Sequence, residues 1–85
     1  MTLLSIIMPV YNKEEYIDRA IQSIIGQSFK EWELIIVDDG SIDKSLSLCK
    51  KYENEKIKVI SIENNGVSNA RNIGLNMSCG DFVTF

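Results

Sequence analysis

Two adjacent carboxylates, Asp38 and Asp39, directly follow the apolar run Leu34–Val37. Gly40 and Ser41 come next, so the acidic pair lies where a buried segment gives way to a turn. Two like charges side by side at such a place are unfavourable unless something uses them. A carboxylate only accepts hydrogen bonds. It would therefore suit a ligand that presents an N–H group, such as the pairing edge of uracil or guanine.

Two other side chains have the chemistry to hold the same kind of ligand. Tyr11 follows the first apolar run and offers a flat ring, and stacking of a base on an aromatic ring contributes about 1–3 kcal/mol. Arg71 could donate hydrogen bonds to a base carbonyl or to a phosphate. With one of the two carboxylates, these residues would give a stacking ring, an acceptor and a donor for one nucleotide.

Each of these residues also has a purely structural interpretation, which the residues alone leave open. Tyr11 could simply pack at the end of a strand, and Arg71 could pair with an acid on the surface. The sequence Asp-Gly-Ser is ordinary turn chemistry. For Asp38 we favour such a structural role, in which the side chain holds the loop through hydrogen bonds to the backbone.

The pattern of apolar residues predicts the elements that position these side chains. Nearly continuous apolar runs are typical of strands that are buried on both faces. Such runs lie at Leu3–Val10, Trp32–Asp39 and Ile57–Ile62, and a fourth strand begins at Asp81. Helical spacing of apolar residues lies between them. This β-α-β-α-β-α-β order predicts an α/β fold with a mainly parallel sheet.

Three helices are predicted between the strands. The first begins at Asn12, which would act as its cap, with Glu15 three residues later completing a capping box. The second is capped by Ser41 or Asp43, and the third covers about residues 68–78. The apolar side of the second helix would consist of Ile42, Leu46, Cys49 and Tyr52.

The predicted sheet brings the candidate residues to one edge. In open α/β sheets, ligands bind beyond the carboxyl ends of the strands, where the strand order reverses. The end of the first strand carries Pro9, Val10 and Tyr11, and the end of the second carries Asp38 and Asp39. Because successive strands usually pair, we expect these two loops to be neighbours.

Composition excludes several classes of protein. The chain has 85 residues, and its net charge of −3 comes without a cluster of lysine or arginine, so nucleic-acid binding has little support. The apolar runs are too short to cross a bilayer. The absence of histidine removes Ser-His triads and the usual zinc sites. Cys49 and Cys79 lack a CxxC spacing and are interpreted as reduced thiols of a cytoplasmic protein, with a bridge between them as the lesser alternative.

Three segments taken together resemble a known family. They are SIIMPVYNKEEYIDRAIQSIIGQSF, ELIIVDDGSID and NNGVSNARNIGLNMSCGDFVTF. In order and spacing they resemble the amino-terminal half of the family 2 glycosyltransferases, over nearly the whole chain. The resemblance implies a GT-A fold, in which a Rossmann-like half binds a nucleotide-diphosphate sugar.

The resemblance also implies a role for each candidate residue. Pro9, Val10 and Tyr11 would line the pocket for the base, with the Tyr11 ring stacked on it. Asp39 would accept a hydrogen bond from the N–H group of the base. Arg71 would lie beside the base or the phosphates.

The chain departs from the family pattern at its end. Family members continue into an aspartate-rich motif that holds Mg2+ or Mn2+, whereas this sequence stops at Phe85, before that motif. Residues 1–85 would therefore be the incomplete nucleotide-binding part of a longer protein, without metal ligands or catalytic residues. The parent is expected to be an inverting glycosyltransferase that moves a sugar from a UDP-sugar to a glycan or lipid-linked acceptor. We expect it in the cytoplasm or at the inner face of the membrane.

Several further expectations follow for the chain by itself. It would be inactive in transfer and would bind a uridine nucleotide weakly. The alternatives are a non-enzymatic structural or nucleotide-binding remnant, and a receiver-like signalling domain, although the third strand ends without the aspartate that such a domain needs. The outer edge of the fourth strand would be bare, and an unpaired edge invites pairing with another copy, so we expect self-association.

Overall fold

The computed structural model describes residues 3–64, 66–78 and 80–84, the last four of these by their backbone. The elements alternate along the chain as the apolar pattern predicts. They are β1 (Leu4–Val10), α1 (Ile17–Ile25), β2 (Trp32–Asp39), α2 (Ser45–Lys50), β3 (Ile57–Ile62), α3 (Val67–Met77) and β4 (Asp81–Thr84). The predicted α/β class is therefore confirmed.

The four strands form one parallel sheet in the order β3-β2-β1-β4. The chain steps from β1 to β2 to β3 in one direction and then returns to place β4 on the other side of β1. The strand order therefore reverses at β1, which is where open α/β sheets bind ligands. Val10 lies opposite Asp38 in the register, so β1 and β2 end at the same level. The expected self-association through the outer edge of β4 stays a prediction.

Each face of the sheet has its own apolar core, because successive residues of a strand point to opposite faces. On one face, Ile6 and Met8 of β1 pack with Ile36 of β2 against α1 and α2. Helix α1 contributes its buried stripe there, which consists of Ile17, Ile21 and Ile24. On the other face, Ile7 and Ile35 pack against Ala70 of α3. The two cores fix the strands, and the ends of the strands then carry the loops.

The predicted start of the first helix is wrong. Helix α1 begins at Ile17, and Tyr16 at its N-cap makes no capping hydrogen bond with its side chain. Asn12 instead adopts a left-handed backbone with φ of 50°, and its side-chain oxygen accepts a hydrogen bond from Ile42 N–H at 2.9 Å. The capping box with Glu15 does not form, because the side-chain amide of Asn12 is bonded to the distant loop after β2 and does not cap the helix.

The second helix is shorter than predicted, and its inner side agrees with the prediction in part. It begins at Ser45, whose N–H donates to Asp43 Oδ1 at 2.8 Å. Ile42 is 88% exposed and lies outside the helix, so its expected place on the apolar side is wrong. Cys49 is buried in the core and Tyr52 packs against that core, both as predicted, and Leu48 joins them.

Two expectations about the chain as a whole have different outcomes. Cys49 is a free, buried thiol, as the reduced interpretation expects, whereas Cys79 lies outside the described residues. Within the described ranges, no helix combines the length and the apolarity needed to cross a bilayer.

Candidate functional site

A cavity of about 260 Å³ opens at the carboxyl ends of β1 and β2. This is just below the range of roughly 300–1,000 Å³ that is usual for pockets of drug-sized ligands. The residues that line it come from the ends of β1 and β2, the loop after β1 and the start of α3. They are Pro9, Val10, Tyr11, Lys13, Asp39 and Val67. The cavity therefore lies where the strand-order rule places a ligand.

Tyr11 stands at one side of this cavity, directly after β1. Its side chain is 43% exposed, which leaves part of the ring open to a ligand. The preceding residues, Pro9 and Val10, also line the cavity. They belong to the paired part of β1, opposite Val37 and Asp38. The ring is thus attached to a strand whose position is fixed by the sheet.

Asp39 lies on the same cavity and is 4% exposed. Its Oδ2 accepts a hydrogen bond from Gly66 N–H at 3.0 Å, and Gly66 is the N-cap residue of α3. The next residue, Gly40, has a φ of 73°, and a Cβ added there would lie 2.7 Å from Asn64 N. The carboxylate is therefore held between the end of β2 and the loop that starts α3.

Asp38 lies away from this cavity, against the loop that follows β2. It is 1% exposed, and its Oδ2 accepts a hydrogen bond from Ser41 N–H at 3.1 Å. Its Oδ1 is buried and has no hydrogen-bond partner among the described residues. The contact with Ser41 is the kind of loop-holding hydrogen bond that the structural interpretation of Asp38 requires.

Arg71 does not join the group of residues around the cavity. It is an exposed residue of α3, four positions after Val67, and is not among the residues that line the cavity. The structure therefore brings together Pro9, Val10, Tyr11 and Asp39, and leaves Arg71 outside. The part that each residue plays towards a ligand stays a prediction.

Sequence reasoning missed two residues of the cavity, Lys13 and Val67. Lys13 was assigned to the first turn of a helix, whereas it lies in the loop before α1. Val67 is the first residue of α3, and α3 follows β3. Val67 could have been predicted, because the carboxyl ends of parallel strands lie at one edge of the sheet, and the segment after β3 therefore starts beside those after β1 and β2.

The described residues contain no group of three or more histidine, cysteine, aspartate or glutamate side chains that could hold a metal ion. Asp38 and Asp39 could have formed part of such a group. They do not, because adjacent residues of a strand point to opposite faces.

The sequence model described as "Glycosyl transferase family 2" matches residues 5–85. The chain belongs to glycosyl transferase family 2. This confirms the family expected from the three motif segments, and it decides against a receiver-like domain. The match also covers the whole group of cavity-lining residues, from Pro9 to Val67.

Curated family 2 relatives are much longer than this chain. Glycosyltransferase GlyA of Streptococcus pneumoniae serotype 4 is 44% identical over 84 residues, which is 96% of this chain and 12% of GlyA. The minor teichoic acid biosynthesis protein GgaA of Bacillus subtilis is 48% identical over 79 residues, which is 86% of this chain and 18% of GgaA. The chain thus spans less than a fifth of the length of either relative.

Solved structures of glycosyltransferases share the fold. The crystal structure of Staphylococcus aureus TarS 1–349 in complex with UDP has a TM-score of 0.86 and 37% identity, over 96% of this chain and 27% of that one. A mannosyltransferase from Pyrobaculum calidifontis, solved with GDP-Man and Mn2+, has a TM-score of 0.83 at 22% identity, over 93% of this chain and 25% of that one. These likenesses confirm the Rossmann-like GT-A architecture for the family 2 chain.

Proposed function

We propose that this chain is the nucleotide-binding part of a glycosyltransferase that takes a sugar from a UDP-sugar donor. The observation that carries the proposal is the shared cavity of Tyr11 and Asp39 at the ends of β1 and β2. An aromatic ring and a carboxylate on one cavity can hold the face and the edge of the same base. Family membership supports the same conclusion.

In this proposal the base stacks on Tyr11, and Asp39 accepts a hydrogen bond from its N–H group. A carboxylate can accept about four hydrogen bonds, so the bond from Gly66 N–H is compatible with a further one from a base. Pro9, Val10 and Val67 give the cavity apolar walls. These contacts would leave the ribose and the diphosphate directed towards the mouth of the cavity.

Two cationic residues are proposed to serve the diphosphate. Lys13 lines the cavity itself, and an ammonium group binds phosphate as a compact point charge. Arg71 lies on the exposed side of α3, and we assign it a contact with the phosphates rather than with the base. This assignment follows from its position outside the residues that line the cavity.

Uracil is the base we propose, and TarS supports this choice. A structure of TarS was solved with UDP, and the Staphylococcus aureus protein is named poly(ribitol-phosphate) beta-N-acetylglucosaminyltransferase. It is 39% identical to this chain over 90 residues, which is 100% of this chain and 16% of that protein. We propose that this chain binds the same nucleotide as TarS. For the acceptor of the longer protein we keep the prediction of a glycan or a lipid-linked sugar.

In this proposal, the residues that hold a divalent metal and the catalytic groups belong to parts of the longer protein outside this chain. In the longer protein we propose Mg2+ or Mn2+, which would neutralise charge on the leaving diphosphate. The mannosyltransferase solved with Mn2+ supports such a metal only as a property of that protein. The described residues offer no metal site, so we derive no step through one. Inversion at the sugar and a cytoplasmic location stay predictions.

Titration calorimetry of the 85-residue chain with UDP and with GDP, with and without Mn2+, tests the proposal. We expect weak binding of UDP that Tyr11→Ala and Asp39→Asn reduce. Tyr16→Ala is the matched control, because Tyr16 is a 55% exposed tyrosine that does not line this cavity. Indifference to both nucleotides would favour a non-enzymatic structural module instead.

A transfer assay tests the second half of the proposal. Because this chain would supply only the nucleotide-binding part of the enzyme, we expect no transfer of radiolabelled sugar from UDP-sugar by the chain alone. Turnover by this chain would refute the assignment of the catalytic groups to residues outside it.

A further inference from the structure

The loops that follow β1 and β2 are joined by hydrogen bonds in both directions. Asn12 N–H donates to Ser41 Oγ at 2.9 Å, and Ile42 N–H donates to Asn12 Oδ1 at 2.9 Å. We call Asn12, Ser41 and Ile42 the loop bridge. Its hydrogen bonds join residues about thirty positions apart in the chain, so they fix the two loops relative to each other.

The backbone of Asn12 supports a specific role for this residue. Within the described ranges it is the one non-glycine residue with positive φ, at 50°. Asparagine tolerates this region better than most residues do. Such a conformation persists where the surrounding structure fixes it. Here the two hydrogen bonds of the loop bridge hold both the backbone and the side chain of Asn12.

Ser41 is itself hydrogen-bonded to a residue of the sheet. Its N–H donates to Asp38 Oδ2 at 3.1 Å, so the buried carboxylate at the end of β2 orients the residue whose hydroxyl meets Asn12. A hydrogen bond to an ionised acceptor is stronger than one between neutral groups. The buried Asp38 therefore anchors the loop bridge to β2.

Two parallel contacts strengthen the connection beyond the loop bridge. Lys13 N–H donates to Ser45 Oγ at 2.7 Å, and Glu14 N–H donates to Asp43 Oδ2 at 3.3 Å. Desolvation acts to raise the pKa of Asp43, but hydrogen bonds from Ser45 and Glu14 outweigh it and leave the pKa below its ordinary value. Three successive backbone N–H groups after Tyr11 thus donate to side chains of the loop after β2 and of Ser45, the first residue of α2.

The position of Tyr11 follows from these contacts. On one side of it, Val10 pairs with Asp38 in the sheet, and on the other side Asn12 is bonded to Ser41. Asp39 directly follows Asp38 in β2. The backbone that carries the ring and the backbone that carries the carboxylate are therefore connected on both sides of Tyr11.

We infer that Asn12 and Ser41 are positioning residues, which hold the Tyr11 ring at the distance from the Asp39 carboxylate that one base requires. This inference rests on the proposed nucleotide site. Neither residue needs to touch the nucleotide, because both act through the loop that carries Tyr11. A productive geometry of this kind depends on side chains whose supports are themselves fixed.

Matched substitutions in the 85-residue chain test the inference. Ser41→Ala removes the acceptor for Asn12 N–H, whereas Ser41→Thr keeps a hydroxyl oxygen at the same place. Asn12→Gly tolerates positive φ but deletes the acceptor for Ile42 N–H. Loss of one such hydrogen bond should weaken UDP binding about fivefold. We expect this for Ser41→Ala and Asn12→Gly, and affinity close to that of the unsubstituted chain for Ser41→Thr.

Amide hydrogen exchange gives a readout that does not depend on the nucleotide. In the unsubstituted chain the amides of Asn12 and Ile42 should exchange slowly despite their exposed loops. Ser41→Ala should accelerate exchange at Asn12, and Asn12→Gly should accelerate it at Ile42. The double variant Ser41→Ala/Asn12→Gly should lose less UDP affinity than the product of the two single losses, because the two residues act through one connection.

The outcomes separate the inference from the proposed function. If the unsubstituted chain binds UDP and the variants bind it equally well, the positioning role is refuted while the nucleotide site stands. If the unsubstituted chain does not bind UDP, the proposed function fails, and with it the positioning of a base. The exchange data then decide whether the loop bridge exists in solution. Fast exchange of both amides in the unsubstituted chain would refute the loop bridge in either case.

Discussion

The carboxylates of Asp38 and Asp39 lie on opposite faces of the sheet, although the residues are adjacent in the chain. Asp39 accepts from Gly66 N–H at the start of α3, and Asp38 accepts from Ser41 N–H in the loop before α2. Each carboxylate thus has its own hydrogen-bond donor, and the period of two along a strand separates the like charges. The pair is tolerated because the two charges lie apart and each accepts a hydrogen bond.

The proposed contact between Asp39 and the base predicts a preference between bases, because a carboxylate only accepts hydrogen bonds. Uracil carries a hydrogen on N3, whereas N3 of cytosine is itself an acceptor and would face the carboxylate without a proton between them. A hydrogen bond to a charged group contributes about 1.5–3 kcal/mol, so UDP should bind roughly ten- to a hundredfold more tightly than CDP. Asp39→Asn should bring this ratio close to one, because an amide can donate as well as accept.

Asp38→Asn is the control for this base-selection experiment, since it removes the same charge one residue away and keeps an oxygen for Ser41. It should preserve the preference for UDP over CDP. Competition titrations of the two nucleotides measure the ratio. An equal loss of the preference in both variants would assign the effect to overall charge rather than to the edge of the base.

The proposed contact between Lys13 and the diphosphate predicts that Lys13→Gln weakens the binding of UDP but not of uridine. The substitution should weaken UDP binding about threefold at low salt, since exposed ion pairs contribute little, and should leave uridine binding unchanged. The effect should shrink as ionic strength rises. Lys51→Gln is the matched control, because Lys51 is an exposed lysine outside the residues that line the cavity. A loss of uridine binding in Lys13→Gln would contradict a role at the phosphates.

The close approach of α3 to β1 predicts a stability effect with an informative sign. A Cβ added to Gly74 would overlap Ile7 Cγ2, so Gly74→Ala should lower the free energy of unfolding by about 1–3 kcal/mol. Helix propensity alone predicts the reverse, a gain of about 1 kcal/mol. In an Ile7→Ala background the clash is gone, and the same substitution should become stabilising. Denaturant titration of the four proteins measures the cycle, and additive effects would argue against the contact.

Burial of Cys49 predicts a fall in stability at alkaline pH. Burial and then the negative charges of Asp38 and Asp43 raise the pKa of the thiol from 9.0 to about 12. Between these values the unfolded chain releases a proton that the folded chain keeps, so stability falls as pH rises from 9.0 towards 12. The slope from this group approaches 1.4 kcal/mol per pH unit. Cys49→Ala should show a shallower decline above pH 9.0, whereas parallel profiles would contradict the shift.

Much of the fold was predictable from sequence, because a long apolar run indicates a buried strand whatever its exact local contacts are. The strands predicted at Trp32–Asp39 and Ile57–Ile62 have those bounds in the structure. The start of α3 at Val67 lies within one residue of the prediction. The starts of α1 and α2 were predicted poorly, since capping rules consider only nearby residues. Asn12 follows the capping pattern, yet its side chain bonds to Ile42, a residue that the local pattern does not include.

In the candidate site, too, some residues were predictable from the sequence and others depended on contacts that the sequence does not show. Tyr11 and Asp39 were found because their chemistry matches a base and because parallel strands end at one edge. Lys13 was missed because it was assigned to a helix that begins later, at Ile17. The family resemblance placed Arg71 beside the base or the phosphates, and its position on α3, outside the residues that line the cavity, leaves this role a prediction.

The central claim is that Tyr11 and Asp39 hold one base between them, and NMR of the chain with UDP tests it most directly. The account predicts intermolecular nuclear Overhauser effects between the uracil H5 and H6 protons and the Tyr11 ring. It also predicts shift changes at the Asp39 amide and at the Gly66 amide, whose N–H donates to the Asp39 carboxylate. Bound UDP whose uracil protons contact other residues, with Tyr11 and Asp39 unaffected, would contradict it.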